Sequence, residues 1–456
     1  MTTRLGVADH LDPRGSDLLA VGFGTTVAMW TVGYVCRFPG VNAPSWLLMA
    51  LLLGCLTAGG WAAGRFAGRG VRGGLQTGLL AGVLNLLVLG SLLSGGDTPN
   101  QITPLAVWWV PGSLLVAGTL GGLGAALAQQ RPDAGQPAPL SRHGLAGFTA
   151  VAAAATFLLL VAGGIVTGSQ AGLAVTDWPN SYGYNMFLYP LSRMTGGIYY
   201  EHVHRLLGSL VGLTTLVLAV HLQRVEDRRW LKNLGLVALV LVIVQGLLGG
   251  LRVTGHFTLS DNPDLTRPNL WLAVIHGVAA QVFFGLMVAL AVFTTRRWRE
   301  AVPAATESGA NFERNVSVWL LGAILVQLTL GSLLRHTDTA LMAHISLAAL
   351  VLVAGLTLAV RLINLGRDLP LLRRLGHGLL HGLTLQFLLG FGALMARNLA
   401  APHGGPHPAD VVITTIHQAT GALLLATTVL AVLWTRRLCS GRDQSEQPST
   451  KEEATC

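Results

Sequence analysis

Apolar residues in this chain come in long blocks and do not alternate with polar ones. A helix rises about 1.5 Å per residue, so about 20 apolar residues cross the hydrocarbon of a bilayer. Twelve blocks reach that length. Four come first, at roughly 17–36, 44–64, 74–94 and 104–128. The polar, proline-containing stretch QQRPDAGQPAPLSRHG then breaks the pattern and reads as a linker. Eight more blocks follow, at roughly 145–167, 198–222, 231–251, 269–294, 315–335, 340–362, 372–396 and 411–435. The expected fold is an all-α polytopic membrane protein of about twelve transmembrane helices.

Composition supports this. Charged residues make up 11% of the 456, against about a quarter in soluble domains. The 57 glycines suit closely packed membrane helices. The net charge of +9 is spread over short clusters between the blocks: Arg65/Arg69/Arg72, Arg131/Arg142, Arg224/Arg228/Arg229/Lys232, Arg296/Arg297/Arg299, Arg361/Arg367/Arg373/Arg374 and Arg436/Arg437. Every second loop carries one, which predicts that those loops and both termini are cytoplasmic. That distribution argues for membrane lipid as the partner and against nucleic acid. The N-terminal stretch holds Asp9, Asp12 and Asp17, unlike a transit peptide, and predicts a bacterial plasma membrane. Cys36, Cys55, Cys439 and Cys456 have no metal-type spacing, and none lies in an expected outer loop of the second part, so no structural disulfide is expected there. The longest outward loop, about 168–197, exceeds what a connector needs.

The second part of the chain repeats itself. Gln245 opens QGLLGG and Gln386 opens QFLLGF, 141 residues later. His276 and His417 share that offset, and His204 and His344 differ by 140. The reading is a duplicated four-helix bundle, with residues 136–300 as the first half and 310–438 as the second. Residues 1–135 form a separate four-helix region, and 439–456 a polar cytoplasmic tail.

His204, His276, His344 and His417 each fall in an outside-to-inside helix of the repeat. Helix starts are expected at Gly196/Gly197, Pro268, Asp338 and Asp410, which puts each His about six to eight residues in. Four imidazoles at one depth suit bis-imidazole ligation of two hemes, paired His204 with His276 and His344 with His417. A lone intramembrane His is more often a helix–helix hydrogen bond or part of a proton path. Zinc is disfavoured because no acids or thiolates complete such a site. The pattern alone leaves open an enzyme, a di-heme electron carrier working from a quinol, and a transporter or scaffold.

Glu201 lies one turn before His204 and is a candidate catalytic acid, or else a first-turn Glu favoured by the helix dipole. Arg205, Arg252, Arg335 and Arg397 sit at outer helix ends. Such arginines bind heme propionates or snorkel to headgroups, and snorkelling is favoured for Arg335. Asp177 and Trp178 are candidates to shape a lid, or form a turn with an interfacial Trp. His256, His336, His403, His407, His377 and His381 read as solvated or interfacial.

These residues also carry a resemblance. GLAVTDWPNSYG (Gly172 to Gly183), then Glu201-His202-Val203-His204-Arg205, then three further histidines at these intervals resemble the heme A synthase family over about residues 145–437. The resemblance implies eight helices in two halves and oxidation of the C8 methyl of heme O to a formyl group, giving heme A for cytochrome oxidase. It implies heme O at His204 and His276, an electron-passing heme b at His344 and His417, and Glu201 beside the substrate. The partners it implies are heme O synthase or cytochrome oxidase assembly factors, and a quinol or other electron donor. Two departures stand out. Asn180 and Ser181 follow DWP where many bacterial members carry a cysteine pair, and His202 replaces an expected aromatic residue. The first 135 residues match nothing in that family.

Overall fold

The computed structural model describes residues 15–94, 98–130, 144–255, 269–305, 310–365, 369–397, 399 and 406–440. The described residues are mostly helical, with one short parallel pairing of Ala304–Ala305 with Cys439–Ser440. In order the chain forms α1 (Ser16–Cys36), α2 (Ser45–Phe66), α3 (Gly70–Leu93), α4 (Ala106–Gln129), α5 (Gly144–Gly168), α6 (Gly196–Val225), α7 (Arg229–Thr254), α8 (Leu270–Phe293), α9 (Arg296–Glu300), α10 (Ala310–Thr337), α11 (Leu341–Leu365), α12 (Pro370–Ala396) and α13 (Pro408–Leu438). All but the short α9 are long and apolar enough to cross a membrane, so the protein is a multi-pass membrane protein.

Local chemistry sets the helix ends. α7 stops at Gly255, whose positive φ lets its N–H reach back to the Leu251 carbonyl at 2.8 Å. α8 is capped by Asn269, which accepts from the Leu272 N–H at 2.9 Å. The expected start at Pro268 lies outside the described residues. At α13 the cap is His407 and not Asp410. Pro408 occupies the first helical position, so the capping group falls one residue earlier, and His407 Nδ1 accepts from Ala409 N–H at 3.1 Å. Asp410 sits in the first turn.

Packing sorts the helices into three groups. α5, α6, α7 and α8 close a ring, each packed on the next and α8 back on α5. α10, α11, α12 and α13 close a second ring in the same order. The rings meet where α5 and α8 touch α13 and α8 touches α10. In each ring the two His-bearing helices, α6 with α8 and α11 with α13, therefore stand on the diagonal.

The first four helices form their own cluster, which meets the first ring mainly through α1 on α5. Glycine makes part of that cluster possible: a Cβ on Gly78 would overlap the Ala117 carbonyl of α4. Arg69 holds the buried Asp17 carboxylate through two bonds of 2.7 Å. Ser16 Oγ bonds His221 on α6 at 2.6 Å. Near the other end, Tyr34 stacks on Tyr199 at 5.8 Å, and Tyr199 donates to the Tyr34 carbonyl at 2.6 Å.

Candidate functional site

The rings of His344 and His417 face each other with centroids 6.5 Å apart and planes at 71°. Two imidazoles on one iron, with metal–nitrogen bonds of about 2 Å, put their centroids roughly 6 Å apart. The spacing therefore fits a shared axial pair. His204 and His276 lie on α6 and α8, which face each other across the first ring. All four histidines are half-buried.

Equal counts from the helix starts do not produce this arrangement. His204 is the ninth residue of α6, His276 the seventh of α8, His344 the fourth of α11 and His417 the tenth of α13. His344 and His417 meet although one is six residues deeper in its helix than the other.

Each imidazole lies against a glycine of the helix that precedes its own. A Cβ on Gly163 would come 3.1 Å from His204 Cε1, and on Gly331 3.1 Å from His344 Cε1. The corresponding distances are 3.4 Å for Gly249 at His276 and 3.4 Å for Gly390 at His417. A Cβ at Gly163 or Gly331 would press on the ring beside it, whereas at Gly249 or Gly390 it would make ordinary contact. The repeat found in the sequence contains two of these notches, since Gly249 and Gly390 lie inside QGLLGG and QFLLGF. The others, Gly163 and Gly331, were missed because the outer loops before α6 and α11 differ in length.

Glutamines accompany three of the rings. Gln327 Nε2 lies 3.1 Å from His344 Nδ1 and donates to its carbonyl at 3.0 Å. Gln386 Nε2 lies 3.4 Å from His417 Nε2. The Gln245 amide, with its nitrogen turned to the imidazole, lies 3.1 Å from His276 Nδ1 and accepts from Ala280 N–H at 3.1 Å. His204 Nδ1 is buried and has no hydrogen-bond partner.

The loop between α5 and α6 packs on the end of α6 that carries His204. Ser181 and Tyr184 exchange backbone bonds of 2.9 and 3.0 Å around Tyr182 and Gly183, both at positive φ, which makes a tight hairpin. The buried Asp177 carboxylate caps it, accepting from Tyr182 N–H at 2.7 Å and Gly183 N–H at 2.9 Å. The side chain of Asp177 is thus committed to its own loop. The Trp178 indole lies flat on Gly250 of α7, next to the notch at Gly249, and a Cβ on Gly250 would strike it. Gly250→Val should therefore lift the loop. Limited proteolysis of the loop in membranes would show this as faster cleavage than in the wild type, and an unchanged rate would contradict the contact.

Arg205 is the hub beneath this loop. It donates to the Val175, Asp177 and Asn180 carbonyls at 2.8, 2.7 and 3.0 Å and to Glu201 Oε1 at 3.1 Å. Four of its five N–H bonds are used this way, so its main office is to hold the loop. The second Glu201 oxygen, Oε2, is buried without a partner. His202 fills the expected aromatic position by packing on Tyr189, ring centroids 5.0 Å apart, and bonding Ser181 Oγ at 3.1 Å.

Arg252 rests its guanidinium on Gly172 at the start of the loop, and no carboxylate pairs with it among the described residues. Arg397 pairs with the exposed Asp338. Arg335, expected to snorkel, instead turns inward against Gly168 of α5. His336 belongs to the last turn of α10 and not to a loop. His256 and His403 lie outside the described residues. The first four helices also reach the loop: Ser91 donates to the Phe187 carbonyl at 3.3 Å, and Asn100 accepts from Asn185 N–H at 2.6 Å.

Comparison with known proteins bears on this arrangement. Residues 183–344 match the family described as Cytochrome oxidase assembly protein. The matched stretch holds Glu201, His204, His276 and His344, and ends before His417. The chain is 30% identical to Heme A synthase of Beijerinckia indica over 204 residues, covering 39% of this chain and 54% of that one. It thus spans about half the length of the curated relative it matches. No solved structure matches the chain. Over its middle third, then, this chain is similar to proteins of cytochrome oxidase assembly and to a heme A synthase.

Proposed function

We propose that the protein is a heme A synthase-like oxidoreductase that oxidises the C8 methyl of heme O to a formyl group, giving heme A for cytochrome oxidase. The observation that carries this reading is an asymmetry. The His pairs share their glycine notches, and among the described residues the first has the buried acid Glu201 three residues before His204 and a folded loop held through Arg205. His204 and His276 would hold the substrate heme, and His344 and His417 a heme b that passes electrons. Bound heme supplies the redox-active iron at both sites.

The chain's own groups do the rest. Glu201 is held at Oε1 by Arg205, and its free Oε2 can take up and release a proton beside the substrate. Arg252 offers a guanidinium to a propionate near the first pair. Arg397 does the same near the second, where its exposed partner Asp338 competes weakly. Trp178 and the Asp177-capped hairpin exclude water from above. Ser91 and Asn100 of the first helical region brace the segment that follows the hairpin, at Asn185 and Phe187. The protein would sit in a bacterial plasma membrane with both termini cytoplasmic, receiving heme O from its synthase and electrons from a quinol or similar donor. Membranes of cells that make heme O and express the protein should accumulate formyl heme, detected by pyridine hemochrome and chromatography. Bound heme with no conversion of heme O would sink the enzyme reading.

A further inference from the structure

The arginine-rich end of the bundle, away from the four histidines, is built around one carboxylate. Glu226, between α6 and α7, is buried and accepts from Arg228 Nε at 2.8 Å, Arg228 Nη2 at 2.9 Å and Arg299 Nη2 of α9 at 2.8 Å. The Asp227 and Arg228 N–H groups donate to it as well, at 3.1 Å each. Its lone pairs are thus fully used. Arg437, in the last turn of α13, comes to the same place. No carboxylate pairs with it among the described residues. Its Nη2 lies 3.5 Å from the Arg299 carbonyl, at the limit of hydrogen bonding, and its Nε is buried without a partner.

Aromatic rings frame these guanidiniums. Trp230, Phe293, Trp298 and Trp434 form a continuous row, with successive centroids 4.9, 5.1 and 5.1 Å apart. Arg228 lies 5.5 Å from the Trp230 ring and Arg437 5.7 Å from the Trp298 ring. Glu226, Arg228, Trp230, Trp298, Arg299 and Arg437 line a cavity of about 350 Å³. Asp227 lines it too, with its side chain exposed. Three guanidiniums against two carboxylates leave the lining net positive, and the guanidinium left over is that of Arg437. Tryptophan settles at the headgroup level of a bilayer, so the cavity lies at the depth of lipid phosphates.

We propose that this cavity binds the phosphate headgroup of an anionic phospholipid, with Arg437 as its principal ligand. Basic pockets between membrane helices take such headgroups. A phosphate accepts several N–H bonds at once, and Arg437 brings an unused Nε to meet it. Arg228 and Arg299 add charge, although Glu226 tethers both. The half-exposed Trp230 gives the glycerol and upper acyl chain an apolar wall. Trp230 opens α7 of the first ring and Arg437 closes α13 of the second, so the bound lipid bridges the two rings. The site stands apart from the histidine pairs, and its failure leaves the heme reading untouched.

Free phosphate shares this chemistry, and the test separates the two. Purified full-length protein, stripped of lipid in detergent, is titrated with phosphatidylglycerol, phosphatidylcholine or inorganic phosphate. Native mass spectrometry follows binding and thermal unfolding follows stability. Phosphatidylglycerol should bind and raise the unfolding temperature, and the other two should do neither. Arg437→Gln should weaken phosphatidylglycerol binding by about 5-fold, the loss expected of one cation at a lipid surface. Arg436→Gln removes the same charge from the exposed neighbour outside the cavity and should leave binding nearly unchanged. Equal losses in the two arginine variants, or equal binding of the two lipids, would overturn the proposal. Stabilisation by inorganic phosphate at the same concentration would overturn the assignment to lipid. If Arg437→Gln does not fold, Trp230→Ala should weaken binding instead, and wild-type binding in that variant overturns the proposal equally.

Discussion

Replacing Glu201 with glutamine should cut formyl heme production by at least about 100-fold while both hemes remain bound. Glutamine keeps an oxygen for the Arg205 Nε–H, so the loop hub survives, but it cannot exchange a proton at the second position. Glu201→Ala is the harsher control. It leaves the nearly buried Arg205 without its counter-charge, which typically costs about 3–5 kcal/mol, so loss of activity there mixes folding with chemistry. Heme content and heme product, measured on the same membranes, separate the two. Normal conversion in Glu201→Gln would remove Glu201 from the chemistry.

Replacing His344 or His417 with alanine should halve the heme per protein. The two rings sit 6.5 Å apart, and neither pairs with the first site's histidines in any described contact. Loss of one axial ligand should therefore empty the second site and spare the first. The heme that stays should be the O- or A-type species, with conversion slowed by at least about 10-fold for want of the electron-passing heme. His276→Ala should do the reverse and leave only heme b. Heme extraction and chromatography of each variant checks both. Loss of both hemes from a single-histidine variant would mean that the pairs are not separate sites.

Much of this architecture was legible in the sequence, because lipid leaves little freedom. A spanning segment must be helical and apolar for about 20 residues, so the twelve blocks match the twelve spanning helices within a few residues at each end. Helix starts were harder, since the capping side chain depends on backbone geometry. Pro408 moved the α13 cap from Asp410 to His407. The matched histidine spacing was legible because equal offsets can be read directly from the sequence. Gln327 was missed for the same reason. Its distance to His344 is 17 residues, whereas Gln245 and Gln386 each precede their histidine by 31, so one offset could not reveal all three. The role of Arg205 in holding the loop was not legible, because its acceptors are backbone carbonyls and sequence carries no trace of which carbonyls converge. The contacts of the first four helices with the loop, through Ser91 and Asn100, depend on tertiary packing alone.

The account turns on two sites that share their glycine notches and are used differently. The most direct test is the identity and stoichiometry of the hemes extracted from the purified protein, made in cells that supply heme O. Two hemes per chain of two kinds, one b-type and one O- or A-type with formyl heme present, is the predicted result. Two identical b-type hemes would instead describe an electron carrier and would contradict it.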